Sequence, residues 1–208
     1  MSGRLPDKVG RAYAARASEY VERLGGLEMM SAVDIETITR WGRQRQGAVL
    51  DAGCGPGHWT AHLDGLGCDV TGLDVVPAFL DSARARFPEV RFRLGDLDRL
   101  PYASESLNGV LAWYSLIHTP PESLPTVVRE LARSLEPEGS LLVGWFLGER
   151  VEAFDHAVVT AYTWPVDEMT RLLDDAGLEV VAVQTRHDAG ARPHADAVAT
   201  RRAVHVAR

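Results

Sequence analysis

The chain has 208 residues, 46% hydrophobic and 25% charged, a composition suited to one folded domain and unlike that of a disordered or coiled-coil chain. A formal charge of -7 and a pI near 5.5 give no general attraction to a phosphate backbone, so small molecules rather than nucleic acids are the expected partners. The opening MSGRLPDKVGRAYAARASEY lacks the apolar centre of a signal peptide, no apolar run reaches membrane-spanning length, and Cys54 and Cys68 form neither a disulfide framework nor a metal-binding spacing; a cytoplasmic location is the expectation.

Taken in chain order, the pattern predicts helix from about Leu5 to Trp41, interrupted at Gly25-Gly26, with Tyr13, Ala17, Tyr20, Val21 and Leu24 near one face. AVLDAGCGPG then reads as a short buried strand ending near Asp51 and entering a glycine-rich turn. A helix His58 to Leu63, a strand Cys68 to Leu73, a helix Pro77 to Phe87 and a strand Val90 to Leu94 are predicted next, Pro77 suiting the first turn of its helix. A strand Gly109 to Trp113, a helix Ser123 to Leu135 and the very apolar strand Leu141 to Phe146 continue the alternation. This is the rhythm of an α/β fold, a parallel sheet with helices on both faces. After a helix Val166 to Ala176, two β-like runs, Leu178 to Gln184 and about Ala197 to Val206, predict a hairpin around the polar stretch His187 to Asp196.

Gly53, Gly55 and Gly57 allow a sharp turn out of the first strand and a close approach of backbone to ligand, beside a helix N-terminus with free N–H groups. Such loops serve several nucleotide-like cofactors, and the neighbouring charges discriminate among them. Asp51, where strand meets loop, would repel a pyrophosphate and attract ammonium and sulfonium groups, by about 4 kcal/mol at ~4 Å and an effective dielectric of ~20 before desolvation. His58 stands where the dinucleotide fingerprint wants its third glycine, a second mark against an NAD-linked oxidoreductase. Asp74 ends the second strand, where a carboxylate accepts ribose hydroxyls, a feature that NAD enzymes share. Asp96 follows Gly95 after the third strand: as a site residue it accepts from an adenine amino group with Leu97 against the ring, and as a local residue it forms an Asx turn.

These segments resemble the class I S-adenosylmethionine-dependent methyltransferases over roughly Val49 to Phe146. VLDAGCGPGHWT is similar to their first motif, LDVV to the acidic ribose motif, GDLDRLP to the adenine motif, and LNGVLAWYSLIHTP and SLEPEGSLLVGWF to the later strand motifs. The resemblance implies a Rossmann-like, seven-stranded, mostly parallel sheet with an antiparallel last strand. It also implies S-adenosyl-L-methionine bound by Asp51, Ala52, Gly53, Gly55, Gly57, Asp74, Val75, Gly95, Asp96 and Leu97, with AYAARASEY similar to a helix that covers the cofactor. The expected organisation is a single methyltransferase domain over 1–208, with an N-terminal helical cap (1–46), a cofactor-binding core (47–148) and a C-terminal helix and hairpin (149–208).

Methyl transfer is a direct displacement, so the protein chiefly aligns the acceptor and excludes water, and whether it needs a base depends on the acceptor. His118, just after the fourth strand, is the candidate base; ordering the loop before Pro120-Pro121 or packing beside the cofactor is the other reading. Tyr114 is expected to line the cofactor or orient the acceptor, and Trp113 to be core. Tyr13 and Tyr20 share a helical face, Tyr20 being the better positional match for the methionine end, while a packing stripe is equally open. HWTAH gives His58 and His62 the spacing of a metal pair without a third ligand, so no metal is expected. His187, Asp188 and His194 read as solvated loop. Trp145, Phe146, Tyr162 and Trp164 form either an acceptor wall or ordinary packing. The expected function is methylation of a small-molecule acceptor, the rival readings being a noncatalytic cofactor-binding or regulatory module and, behind it, an NAD-linked oxidoreductase.

Overall fold

The structure, a computed structural model, describes residues 10, 13, 14, 26–188 and 190–203. The predicted position of Tyr20 lies outside them, as does most of the predicted first helix, of which Gly10, Tyr13 and Ala14 are helical. Strands β1 (Ala48–Ala52), β2 (Asp69–Asp74), β3 (Arg91–Leu94), β4 (Leu107–Trp113) and β5 (Leu135–Leu147) alternate with helices α2 (His58–Gly65), α3 (Pro77–Arg86) and α4 (Leu124–Ser134). Before them stands α1 (Ala32–Gly42), whose N-cap Ser31 accepts the Asp34 N–H at 3.1 Å. After them come the short strands β6 (Glu152–Phe154) and β7 (Ala161–Trp164), helix α5 (Val166–Asp175), and the hairpin β8 (Leu178–Arg186) and β9 (His194–Arg201).

The strands run in the spatial order β3-β2-β1-β4-β5, all parallel, and β9 joins the far edge of β5 antiparallel with β8 outside it. These seven are the sheet that the resemblance implies. β6 and β7 are additional, and their pairing follows from edge occupancy. Between Ser140 and Gly144 both edges of β5 are filled, by β4 and β9, and Phe146 still pairs with His194 of β9. The parallel pairing of Phe146 and Leu147 with Thr163 and Trp164 therefore uses the β4 edge, beyond the end of β4. β7 takes over where β4 stops.

Successive strand residues face opposite layers, as the period of two requires. Leu50, Val110, Ala112, Leu141 and Val143 pack into the cluster that holds Val128 and Leu131 of α4 and Met169 and Leu173 of α5. Val49, Leu111 and Leu142, their neighbours in sequence, pack into the cluster of Ile38, Trp41, Trp59 and Leu63 from α1 and α2. The Trp41 indole N–H reaches Ser140 Oγ at 3.0 Å, so this second core satisfies its polar edge. No helix among the described residues is long and apolar enough to cross a membrane.

Candidate active site

The chain leaves β1 toward β2 on one side and returns through β4 on the other, and a crevice opens at the carboxyl ends of strands where order reverses. A cavity of about 500 Å³ lies there. Gly53 and Gly55 from the β1 turn, Asp74 and Val75 after β2, Gly95, Asp96 and Leu97 after β3, and Tyr114 and His118 after β4 all line it. Tyr13 closes another part of the wall, edge-on to Phe79 at 5.5 Å.

The three glycines of the turn do different things. Gly53 has φ +79°, and a Cβ there would lie 2.4 Å from Ser115 Cβ, so the turn and the segment after β4 touch through glycine alone. Gly55, at φ +53°, has open space where a side chain would project, leaving its backbone accessible from the cavity it lines. Gly57 differs: it lies off the wall as the left-handed N-cap of α2, where a Cβ would meet Phe92 and Ala83. Ala52 is likewise off the wall, fully buried in the core.

Asp51 does not line the cavity, and the sequence-level picture of it as a direct ligand for a cation changes accordingly. Its side chain is buried and accepts the Thr60 hydroxyl at 2.6 Å, a partner nine residues away on α2. Burial pushes its carboxyl up to about 7, against the Thr60 hydrogen bond and with the help of the nearby Asp74 charge. Asp74 is on the wall; its two oxygens accept the N–H groups of Gly55 and Val76, each at 2.8 Å. Burial raises its proton affinity too, and those backbone donors oppose the rise. Asp74 thus welds the tip of the glycine turn to the end of β2. Asp96 lines the cavity, and its Oδ1 accepts the Asp98 N–H at 3.3 Å in the Asx turn of its local reading.

His118 is buried, with Nδ1 2.9 Å from the Thr160 carbonyl and Nε2 2.7 Å from the Tyr13 hydroxyl. A carbonyl only accepts, so Nδ1 carries the proton. Burial lowers the imidazole's pKa to about 4, the ring is neutral near pH 7, and Nε2 accepts from Tyr13. Thr160 immediately precedes β7, so the pair of strands not foreseen from sequence fixes the tautomer. Tyr114 sits at φ +53°, unusual for an aromatic residue, and its hydroxyl meets His194 Nδ1 at 2.6 Å. His194 is therefore no solvated loop residue, and Asp188 is paired with Arg186. His62 is engaged by Thr39 at 2.7 Å, and neither nitrogen of buried His58 has a partner. Trp145 and Trp164 are buried in the core, Phe146 and Tyr162 partly so against it.

The strand order and its crevice are those of a Rossmann-like methyltransferase fold, and a methyltransferase domain family model matches residues 49–139. Among its relatives, malonyl-(acyl-carrier protein) O-methyltransferase of Erwinia billingiae is 31% identical over 135 residues, covering 64% of this chain and 51% of its own. The chain spans about half the length of the curated relatives it matches first. The 1,6-didemethyltoxoflavin-N1-methyltransferase of Burkholderia thailandensis, solved with S-adenosylhomocysteine, superposes with a TM-score of 0.76 at 20% identity over 98% of this chain and 92% of that one. The cyclase SpnF superposes with a TM-score of 0.77 at 16% identity over 95% and 97%, so the fold alone does not fix the reaction.

Proposed function

We propose that this chain transfers a methyl group from S-adenosylmethionine to a small-molecule acceptor, acting as a single domain. The observation that carries the reading is the charge of the wall: Asp74, Asp96, Asp98 and Glu122 line the cavity, with no arginine or lysine among the described lining residues. A pyrophosphate would meet repulsion from these four carboxylates, whereas a sulfonium and an ammonium lower the cost of keeping Asp74 and the buried Asp51 ionised. The open face of Gly55 and the cavity volume fit a ligand of that size.

In this reading Asp74 accepts the ribose hydroxyls, Val75 and Leu97 flank the adenine, and Asp96 accepts its amino group. The backbones of Gly53 and Gly55 pass close to the methionine portion, Tyr114 borders it, and Asp51 acts from behind the turn as a field rather than as a contact. The bound cofactor supplies a methyl carbon already activated by its sulfonium; the chain's own residues hold the acceptor in line and exclude water. For an acceptor that must lose a proton, the path is from the acceptor to Tyr13 Oη while the Tyr13 proton moves to His118 Nε2. A base held down to about 4 suits acidic acceptors or ones that need little help.

The test is calorimetry with S-adenosylhomocysteine and with NADH, together with transfer of isotope-labelled methyl from the cofactor into small-metabolite pools. Binding of S-adenosylhomocysteine and labelling of a small product are expected. Preference for NADH would overturn the cofactor, and binding without transfer to any pool would return the chain to a noncatalytic role.

A further inference from the structure

Resting on the cofactor site just proposed, we infer that His194 is a positioning residue, which sets the Tyr114 ring on the cavity wall and makes the β8–β9 hairpin part of the site. Three observations converge on it. Tyr114 has left the strand conformation at φ +53°, and its N–H is still held by the Gly144 carbonyl at 3.1 Å. A side chain leaving such a backbone needs its direction fixed elsewhere. The ring packs edge-on to Trp113 and His194 and tilted to Phe146, at 5.3–5.5 Å, and the polar contact that fixes its tip is the 2.6 Å hydrogen bond between Oη and His194 Nδ1.

His194 is itself held on both sides. As the first residue of β9 it stands in register between Phe146 of β5 and Arg186 of β8. Arg186 donates through Nη1 to Asp34 Oδ1 at 2.8 Å and to Ser31 Oγ at 3.2 Å, and its side chain is only 20% exposed. The hairpin is thereby clamped to the capped N-terminus of α1. On the cavity side, Tyr114 is followed by Ser115, the residue packed so tightly against Gly53 that no Cβ fits between them. A shift of Tyr114 is therefore felt at the glycine turn, which is how a histidine behind the wall reaches the ligand.

Five proteins test this, each titrated with S-adenosylhomocysteine: wild type, His194→Phe, Tyr114→Phe, the double variant, and His194→Asn as the conservative replacement because its amide stands near the position of Nδ1. One hydrogen bond lost predicts affinity reduced about threefold to tenfold in each single variant. The double variant should be no weaker than the weaker single one, because both changes remove the same bond. His194→Asn should recover most of the loss, which a purely steric role would not allow. Unchanged affinity in His194→Phe, or additive losses in the double variant, would overturn the inference while leaving the cofactor site standing. Failure of the wild type itself to bind would overturn both, and so marks the failure of the site reading.

Discussion

Replacing Asp74 by asparagine separates the structural duty of this carboxylate from its proposed ligand duty. Its oxygens accept two backbone N–H groups, from Gly55 and Val76. Asparagine keeps one acceptor oxygen and turns an NH₂ toward the other donor, leaving one buried N–H unsatisfied at about 1–3 kcal/mol. At about 2–4 °C per kcal/mol for a chain of this size, the melting temperature should fall by roughly 2–12 °C. A charge-assisted hydrogen bond to the ribose is worth about 1.5–3 kcal/mol, so S-adenosylhomocysteine should bind about 10- to 150-fold more weakly. Titration calorimetry is run at a temperature where circular dichroism shows the variant folded. An affinity within twofold of wild type, alongside the expected loss of stability, would confine Asp74 to holding the turn and refute its role as a ribose acceptor.

Gly53→Ala should destabilise the fold severely, since the new methyl collides with Ser115 at a positive φ, whereas Gly55→Ala meets open space and should cost only about 1–2 kcal/mol for its left-handed backbone while weakening ligand binding. Thermal melts and calorimetry on the pair check this, and the reverse order of stabilities would contradict the geometry. Asp51→Asn should flatten part of the pH dependence of stability. The folded protein keeps the Asp51 proton up to about pH 7 while the unfolded chain releases it near 3.8, so Asp51 makes stability fall as pH rises through that window. His118 works in the opposite sense, its contribution being lost as pH falls from 6.5 toward 4, so the informative quantity is the difference between variant and wild-type melts from pH 4 to 8. An identical slope in the two proteins would show that Asp51 is not buried as an acid.

The elements that were legible in the sequence are those whose cause is local. The apolar runs of β1, β4 and β5 alternate between two cores, and β1 enters a turn that only glycine can make; no partner needs to be known to read them. Asp74, closing β2, belongs to the same kind. Asp51 was legible as an acid but not as a buried one, because its neutral partner Thr60 becomes a neighbour only once α2 folds back over the turn. His194 and Tyr114 are 80 residues apart, and a histidine in a polar stretch carries no mark of the strand register that brings them together. β6 and β7, three and four residues long, are too short for a period of two to stand out.

The handover of the β5 edge from β4 to β7 divides responsibility within the crevice. β7 bonds back through the Tyr162 N–H to the Ile117 carbonyl, and the carbonyl of the residue before it, Thr160, accepts the hydrogen bond of His118 Nδ1–H. The segment between β5 and α5 is thus an addition to the seven-strand framework, tied by these two hydrogen bonds to the loop after β4. Reshaping that segment moves one carbonyl oxygen, and with it the ring nitrogen that keeps a lone pair. In the proposed reading, the acceptor's proton is therefore handled at a histidine whose tautomer is set from the edge of the sheet, and the methyl donor is held by a different set of residues.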